Sequence, residues 1–439
     1  MDLFDFAGQA FRSRLRGELA RWRDEGLIDE ATASRIAARY AGEEPGVSVT
    51  ALAVYILGAM LIGGGVISLV AWNWHALSTG ARLGLAMAAT VIAQWFAHRA
   101  TLRGRHGLGQ ALLLLGSLLV GAALFVVARH FRQGIDWPSS LLLWTLGTAA
   151  AGLCYASAPN AIFALLLSVV WTGVEAGRGA HWITLVPLLQ VAAFAPLATR
   201  SRSGPLYFAG ALAIGITIGV ASVPEQHSPG AVVASVLAWC LLLLSIALVR
   251  PREELLSRTS SAAALILAGI PIYTASFHDP AGALTVWPDE GQRFAFGWLW
   301  VVLPSAIAAT ALLVKARRRP LERPAALVAW FAIAVVIVAL CLPKSRYVVA
   351  TAANLGLVAT AVTGVASSMR QLRRGPFWLG TLTLGVLIVS RFFEYQSNLL
   401  MKAVAFLLAG ALALWAGARF ERRMEREERG DRADGGVRS

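Results

Sequence analysis

The chain has 439 residues, 57% of them hydrophobic and only 15% charged, with a mean hydropathy of +0.63. That composition excludes a soluble globular domain, and apolar runs of about 18 residues recur without period-two alternation, which excludes an outer-membrane β-barrel. The formal net charge of +14 falls largely in loops of one orientation, so it reads as membrane topology rather than as a nucleic-acid-binding surface.

Residues 1–46 are polar and Arg-rich. Leu15, Leu19 and Trp22 recur at helical spacing up to Gly26. Asp29 is placed to cap a second helix, whose apolar stripe is Ile36, Ala37 and Tyr40, before Gly42 and Pro45 end it. The segment is expected to form a cytosolic two-helix hairpin, too small to hold a core alone. Its seven arginines are matched by nine acids, which argues against a nucleic-acid arm. The first residues lack the basic-then-apolar order of a signal peptide, so the first span is expected to act as its own insertion signal.

From 47 to 419 the chain reads as a transmembrane helical domain, because backbone polar groups in hydrocarbon must be paired within each span. Fourteen spans are expected, at 49–71, 81–98, 108–128, 139–157, 160–176, 182–199, 205–221, 230–249, 260–276, 295–314, 324–342, 347–367, 376–390 and 399–418. With the N-terminus inside, the inner loops hold about sixteen Lys and Arg against three acids, and the outer loops about nine against seven. Both termini are therefore expected in the cytoplasm, with a bacterial plasma (inner) membrane as the location. One inner loop, at 158–160, has no basic residue. Residues 420–439 mix charges and are expected to be a disordered cytosolic tail.

Residues that carry chemistry are sparse. No acid or base falls near the centre of a span; Glu175, Arg391 and Lys402 lie at span ends, where long side chains reach the interface. Gln190 and Thr217 are the mid-span polar residues, open to reading as interhelical hydrogen bonding or as the lining of a substrate path. The triplet Gly63, Gly64 and Gly65 reads as close packing or as a hinge. His75, His130, His181, His227 and His278 fall on the predicted outer face with several tryptophans and acids, a set open to reading as a metal or headgroup site, a pH sensor or an aromatic belt. No two of these histidines have short ligand spacing, and Cys154, Cys240 and Cys341 lie far apart. Walker, G-x-S-x-G and H-E-x-x-H motifs are missing from the sequence. The expectation is a non-enzymatic protein without metal or cofactor.

The stretch LRGELARWRDEGLIDEATASRIAARY, followed by LIGGGVISLVAWNWHALSTGARLGLAM, resembles the bacterial membrane-protein family called domain of unknown function 2157. The resemblance implies a cytosolic hairpin, a Gly-rich span ending in an aromatic-Asn-Trp turn, and a basic residue opening the next span. Trp72, Asn73, Trp74 and Arg82 are the matching positions, with His75 where the family commonly has an acid. The segment SRFFEYQSNLLMKAVAFLLAGALALWAGARFERR is similar to the end of the same group, with Arg391, Phe393, Glu394 and Tyr395 in its R-aromatic-aromatic-acid turn. The resemblance also implies a small membrane-anchored partner protein with a G-D-Y-x-x-L-x-Y motif. The two aromatic turns are expected to mark one outer site if they meet in space.

Two functions fit these features. The first is binding or moving an apolar or amphipathic envelope substrate, with membrane lipids as neighbours. The alternative is a membrane scaffold or sensor that docks a partner through the N-terminal hairpin. An intramembrane enzyme ranks third, since it needs acids and histidines to converge at one outer site.

Overall fold

The computed structural model describes residues 19, 22–23, 28–40, 58, 79–130, 137–201, 203–223, 229–250, 253–284, 299–318, 323–342, 346–371 and 374–394. Among these residues there are fourteen α-helices, one 3-10 turn and no strand. The chain divides into two compact units, Met1–Pro224 and Glu225–Ser439.

The first unit holds α1 (Glu30–Tyr40), α2 (Thr79–Leu102), α3 (His106–His130), α4 (Trp137–Cys154), α5 (Ala158–Gly177), α6 (Val186–Ser201) and α7 (Gly204–Ser222). Asp29 caps α1: its carboxylate accepts from the Thr32 N–H at 3.2 Å and its carbonyl from Ala33 at 2.9 Å. The Thr32 hydrogen bond also holds the Asp29 carboxyl below its ordinary pKa. Arg23 pairs with Glu30 in the first turn of α1 at 3.3 Å. α2 and α3 form an antiparallel pair around Ala93, Ala111, Leu115 and Leu119. α4 locks onto α3 where the Trp144 indole donates to the Ser117 carbonyl at 2.7 Å. The ring fills the space beside Gly121, where any Cβ would strike it. α5 is the axis of this unit. It packs against α6 and α7 through Ala161, Ala164, Leu165, Phe194, Leu197 and Leu206 at one end, and through Leu167, Trp171, Ile183 and Val186 at the other.

The second unit holds α8 (Pro229–Val249), α9 (Glu254–Ala275), the short α10 (His278–Ala283), α11 (Leu299–Arg318), α12 (Pro324–Leu340), α13 (Arg346–Gln371) and α14 (Arg374–Glu394). α8 is apolar along its whole length and buried on most of its surface, as expected of a helix surrounded by others. Ser245 ties three helices together: its hydroxyl donates to Leu241 at 2.9 Å and to Ala308 of α11 at 3.2 Å, and accepts from the Trp330 indole of α12 at 2.9 Å. At the start of α9, Arg323 donates to the Ser257 hydroxyl, which in turn donates to the Ala247 carbonyl of α8 at 3.0 Å.

Among the described residues, seven helices are long and apolar enough to cross a membrane: Ala158–Gly177, His181–Ser201, Gly204–Ser222, Pro229–Val249, Leu255–Ala275, Trp300–Arg317 and Tyr347–Arg370. Shorter apolar helices run over His106–Gly121, Pro324–Leu340 and Phe377–Arg391. The expected spans 49–71, apart from Gly58, and 399–418 lie outside the described residues, as does the tail 420–439. The other twelve runs fall on helices, with shifted ends. The run expected at 139–157 stops at Cys154, because Ala156 turns left-handed (φ 48°) and Ser157 bonds back to the Gly152 carbonyl at 2.9 Å. The run expected at 182–199 opens as a 3-10 turn, His181–Leu185, before α6 begins.

Candidate functional site

Polar side chains cluster around Gln190 and around Arg391, and a groove runs beside the second cluster. The first cluster lies in the core of the first unit. Gln190 of α6 is 3% exposed, and its amide Nε2 donates to the Ser168 hydroxyl of α5 at 2.7 Å and to the Thr217 hydroxyl of α7 at 3.0 Å. Both hydroxyls spend their protons on their own helices, Ser168 on the Leu165 carbonyl at 2.7 Å and Thr217 on the Ala213 carbonyl at 2.8 Å. Each is left with lone pairs to accept from the amide, so one side chain joins three helices in low dielectric. Gln190 Oε1 is buried without a partner among the described residues.

The second cluster closes the C-terminal end of α9 in the second unit. Ser276 is fully buried there, and its hydroxyl donates to the Tyr273 carbonyl at 2.6 Å. The Ser276 carbonyl accepts twice, from Asn354 of α13 at 2.8 Å and from the Arg391 guanidinium of α14 at 2.9 Å. A second Arg391 nitrogen reaches the Ser276 hydroxyl, and the guanidinium lies 4.2 Å over the Phe277 ring. A cation at a helix C-terminus meets the partial negative charge of the unsatisfied carbonyls, and the ring face adds a second attraction. Arg391 thus joins α14 to α9 at one end.

Beside this clasp runs the groove. It is an open groove of about 630 Å³, lined by Tyr273 of α9 and by Trp378, Thr381, Leu382, Gly385, Val386, Val389 and Ser390 of α14. Tyr273 stacks edge-on against Phe277, with ring centres 5.2 Å apart, so the Arg391 charge sits one aromatic ring away from the groove end. Two glycines of α14 show why space opens here. A Cβ on Gly380 would lie 2.8 Å from Val365 and 2.9 Å from the Ala361 carbonyl, because α14 is pressed onto α13 at that level. A Cβ on Gly385 would meet nothing within 4 Å.

The remaining expected site residues fall as follows. Arg82 lies in the first turns of α2, and Phe393 and Glu394 in the last turn of α14, with backbone alone described. Trp72, Asn73, Trp74 and Tyr395 lie outside the described residues, as do Gly63, Gly64 and Gly65. His75 and His227 are also outside them, and among the described residues no group of three or more His, Cys, Asp or Glu converges.

Residues 20–161 match a family model. Its description is predicted membrane protein, domain of unknown function 2157. The matched region covers the N-terminal segment and the first unit as far as the start of α5, about a third of the chain, and it is the family that the N-terminal motifs resemble. No curated protein and no solved structure matches the chain. The protein is therefore similar, over that region, to predicted membrane proteins of unknown function, in keeping with its apolar helices.

Sequence reasoning singled out Gln190, Thr217 and Arg391 but missed the groups that meet them. Ser168 reads as an ordinary small residue in a span, and Ser276 and Asn354 are 78 residues apart. The one available signal was spacing on α5, where Asn160, Ala164, Ser168 and Thr172 recur every four residues and so share a face.

Proposed function

We propose that this protein binds an amphipathic molecule from the bilayer, with the apolar part in the groove between α9 and α14 and an anionic polar end toward Arg391. The groove supports this reading. Its lining runs from Trp378 to Ser390, about 18 Å along the helix, more than half the depth of a ~30 Å hydrocarbon layer. Thr381 and Ser390 are its polar members on α14, and the cationic clasp stands at one end. An acyl chain gains by leaving no void against Leu382, Val386 and Val389, and a negative headgroup gains from the guanidinium. The proposed setting is a bacterial plasma membrane crossed fourteen times with both termini inside. Reporter fusions after Arg105 and Arg319 are then expected to act as cytoplasmic and a fusion near Pro280 as periplasmic. The reverse pattern would overturn the orientation.

The binding test is native purification in lipid nanodiscs followed by mass spectrometry of co-purified lipids. Gly385→Phe places a ring in the groove, where a Cβ meets nothing, so the fold is expected to survive and the bound species to be lost. Equal recovery of the same lipids from both proteins would sink the proposal. A scaffold role remains the second reading, supported by α1, whose capped start leaves Glu30, Ala31 and Arg35 exposed. Deleting residues 1–44 is expected to abolish capture of a partner while membrane insertion persists.

A further inference from the structure

The turn between α4 and α5 is the predicted inner loop without a basic residue; Tyr155 and Ala156 are exposed there, and the chain turns inward at Ser157. Ser157, the residue before α5, is fully buried, and its hydroxyl does not cap the helix. Asn160, one turn further on, is also fully buried. Its amide nitrogen and oxygen, the Ser157 hydroxyl and the Thr148 hydroxyl of α4 all lack a hydrogen-bond partner among the described residues.

These four atoms are unusual for this unit. Ser117, Thr145, Ser168, Thr172, Thr217 and Ser222 are buried hydroxyls too, and each donates to a carbonyl three or four residues earlier. Thr148 and Ser157 do not take that local route. Three of the four atoms, on Ser157 and Asn160, belong to the single turn that opens α5, and that turn is packed against α4. Gly152 of α4 presses on α5, where a Cβ would lie 3.0 Å from the Ala161 nitrogen and 3.3 Å from the Asn160 carbonyl carbon. Thr148 is one turn from Gly152 on α4, about 6 Å along the axis on the side away from this turn, so its hydroxyl is a separate case. An orphaned buried amide or hydroxyl costs on the order of 1–3 kcal/mol, so a set of three in one turn is a heavy burden unless something meets it.

We infer that the N-terminus of α5 holds an occluded hydration site, in which about one or two water molecules complete the hydrogen bonds of Asn160 and Ser157. Water fits for three reasons. The site is closed to bulk solvent, which excludes a larger ligand. Its groups are both donors and acceptors, as water requires. The helix N-terminus offers partial positive charge, which suits a water oxygen and opposes a sodium or potassium ion. The inference does not depend on the lipid groove.

The test uses the full chain in nanodiscs and X-ray hydroxyl-radical footprinting in ¹⁸O-labelled water. Radiolysis of a held water labels side chains beside it, so the segment 158–165 is expected to take up label although Ala161, Ala164 and Leu165 are fully buried. Asn160→Leu is expected to abolish that label and to lower the melting temperature by about 2–4 °C, since Ser157 then stays unpaired. No label in the native chain, or a higher melting temperature for Asn160→Leu, would show a dry site and overturn the inference. Should Asn160→Leu fail to fold, Ser157→Ala carries the same comparison: weaker label supports the hydration site, and raised stability overturns it.

Discussion

The Gln190 cluster and the Arg391 clasp do similar work by different chemistry. Each uses one polar side chain to join helices, but the first is neutral and sealed in the middle of the first unit, whereas the second is cationic, set at a helix end and bordered by open apolar volume. The contrast teaches where function is to be sought. A sealed neutral knot fixes packing, since no ligand can reach Gln190 without unpacking α5, α6 and α7. A charged clasp beside a groove offers a ligand both an apolar slot and a counter-charge.

Substitutions can break or sharpen that contrast. The largest effect is expected for Arg391→Met, which removes charged hydrogen bonds to Ser276 and the contact with Phe277. A loss of about 2–3 kcal/mol in unfolding of the purified protein is expected. Gly380→Ala follows, because its methyl would meet Val365 and the Ala361 carbonyl. It is expected to cost about 1–3 kcal/mol, against roughly no change for Gly385→Ala on the same helix. Equal costs at the two glycines would mean that α14 is packed at both levels and that the groove closes. The smallest effect is expected for Gln190→Leu, within about 1 kcal/mol. Ser168 and Thr217 keep their own carbonyl bonds, and the orphaned Oε1 is removed. A loss of several kcal/mol there would make the knot more than packing.

Much of the fold was legible in the sequence, because a helix in a membrane is announced by apolar length alone. The Asp29 cap was legible too, since a cap and its target are three residues apart. Helix ends were less so: nothing local says that Ala156, a residue that avoids positive φ, will take it and end α4 early. The candidate site was legible only in part. Gln190, Thr217 and Arg391 stand out as polar residues in apolar runs, but their partners come from helices distant in sequence. The groove is a property of missing side-chain volume, and Gly380 and Gly385 look alike until their neighbours are known.

The mechanics of α14 follow from its two fixed points. At Gly380 it bears directly on α13, and at Arg391 it is fastened to the end of α9. The supports are eleven residues apart, about 16 Å along the axis. A beam held at both ends cannot swing away like a door. If the groove takes an amphipathic guest as proposed, a bulkier one is expected to widen it by bowing the segment between 381 and 389, near Gly385, while the two fixed points stay where they are.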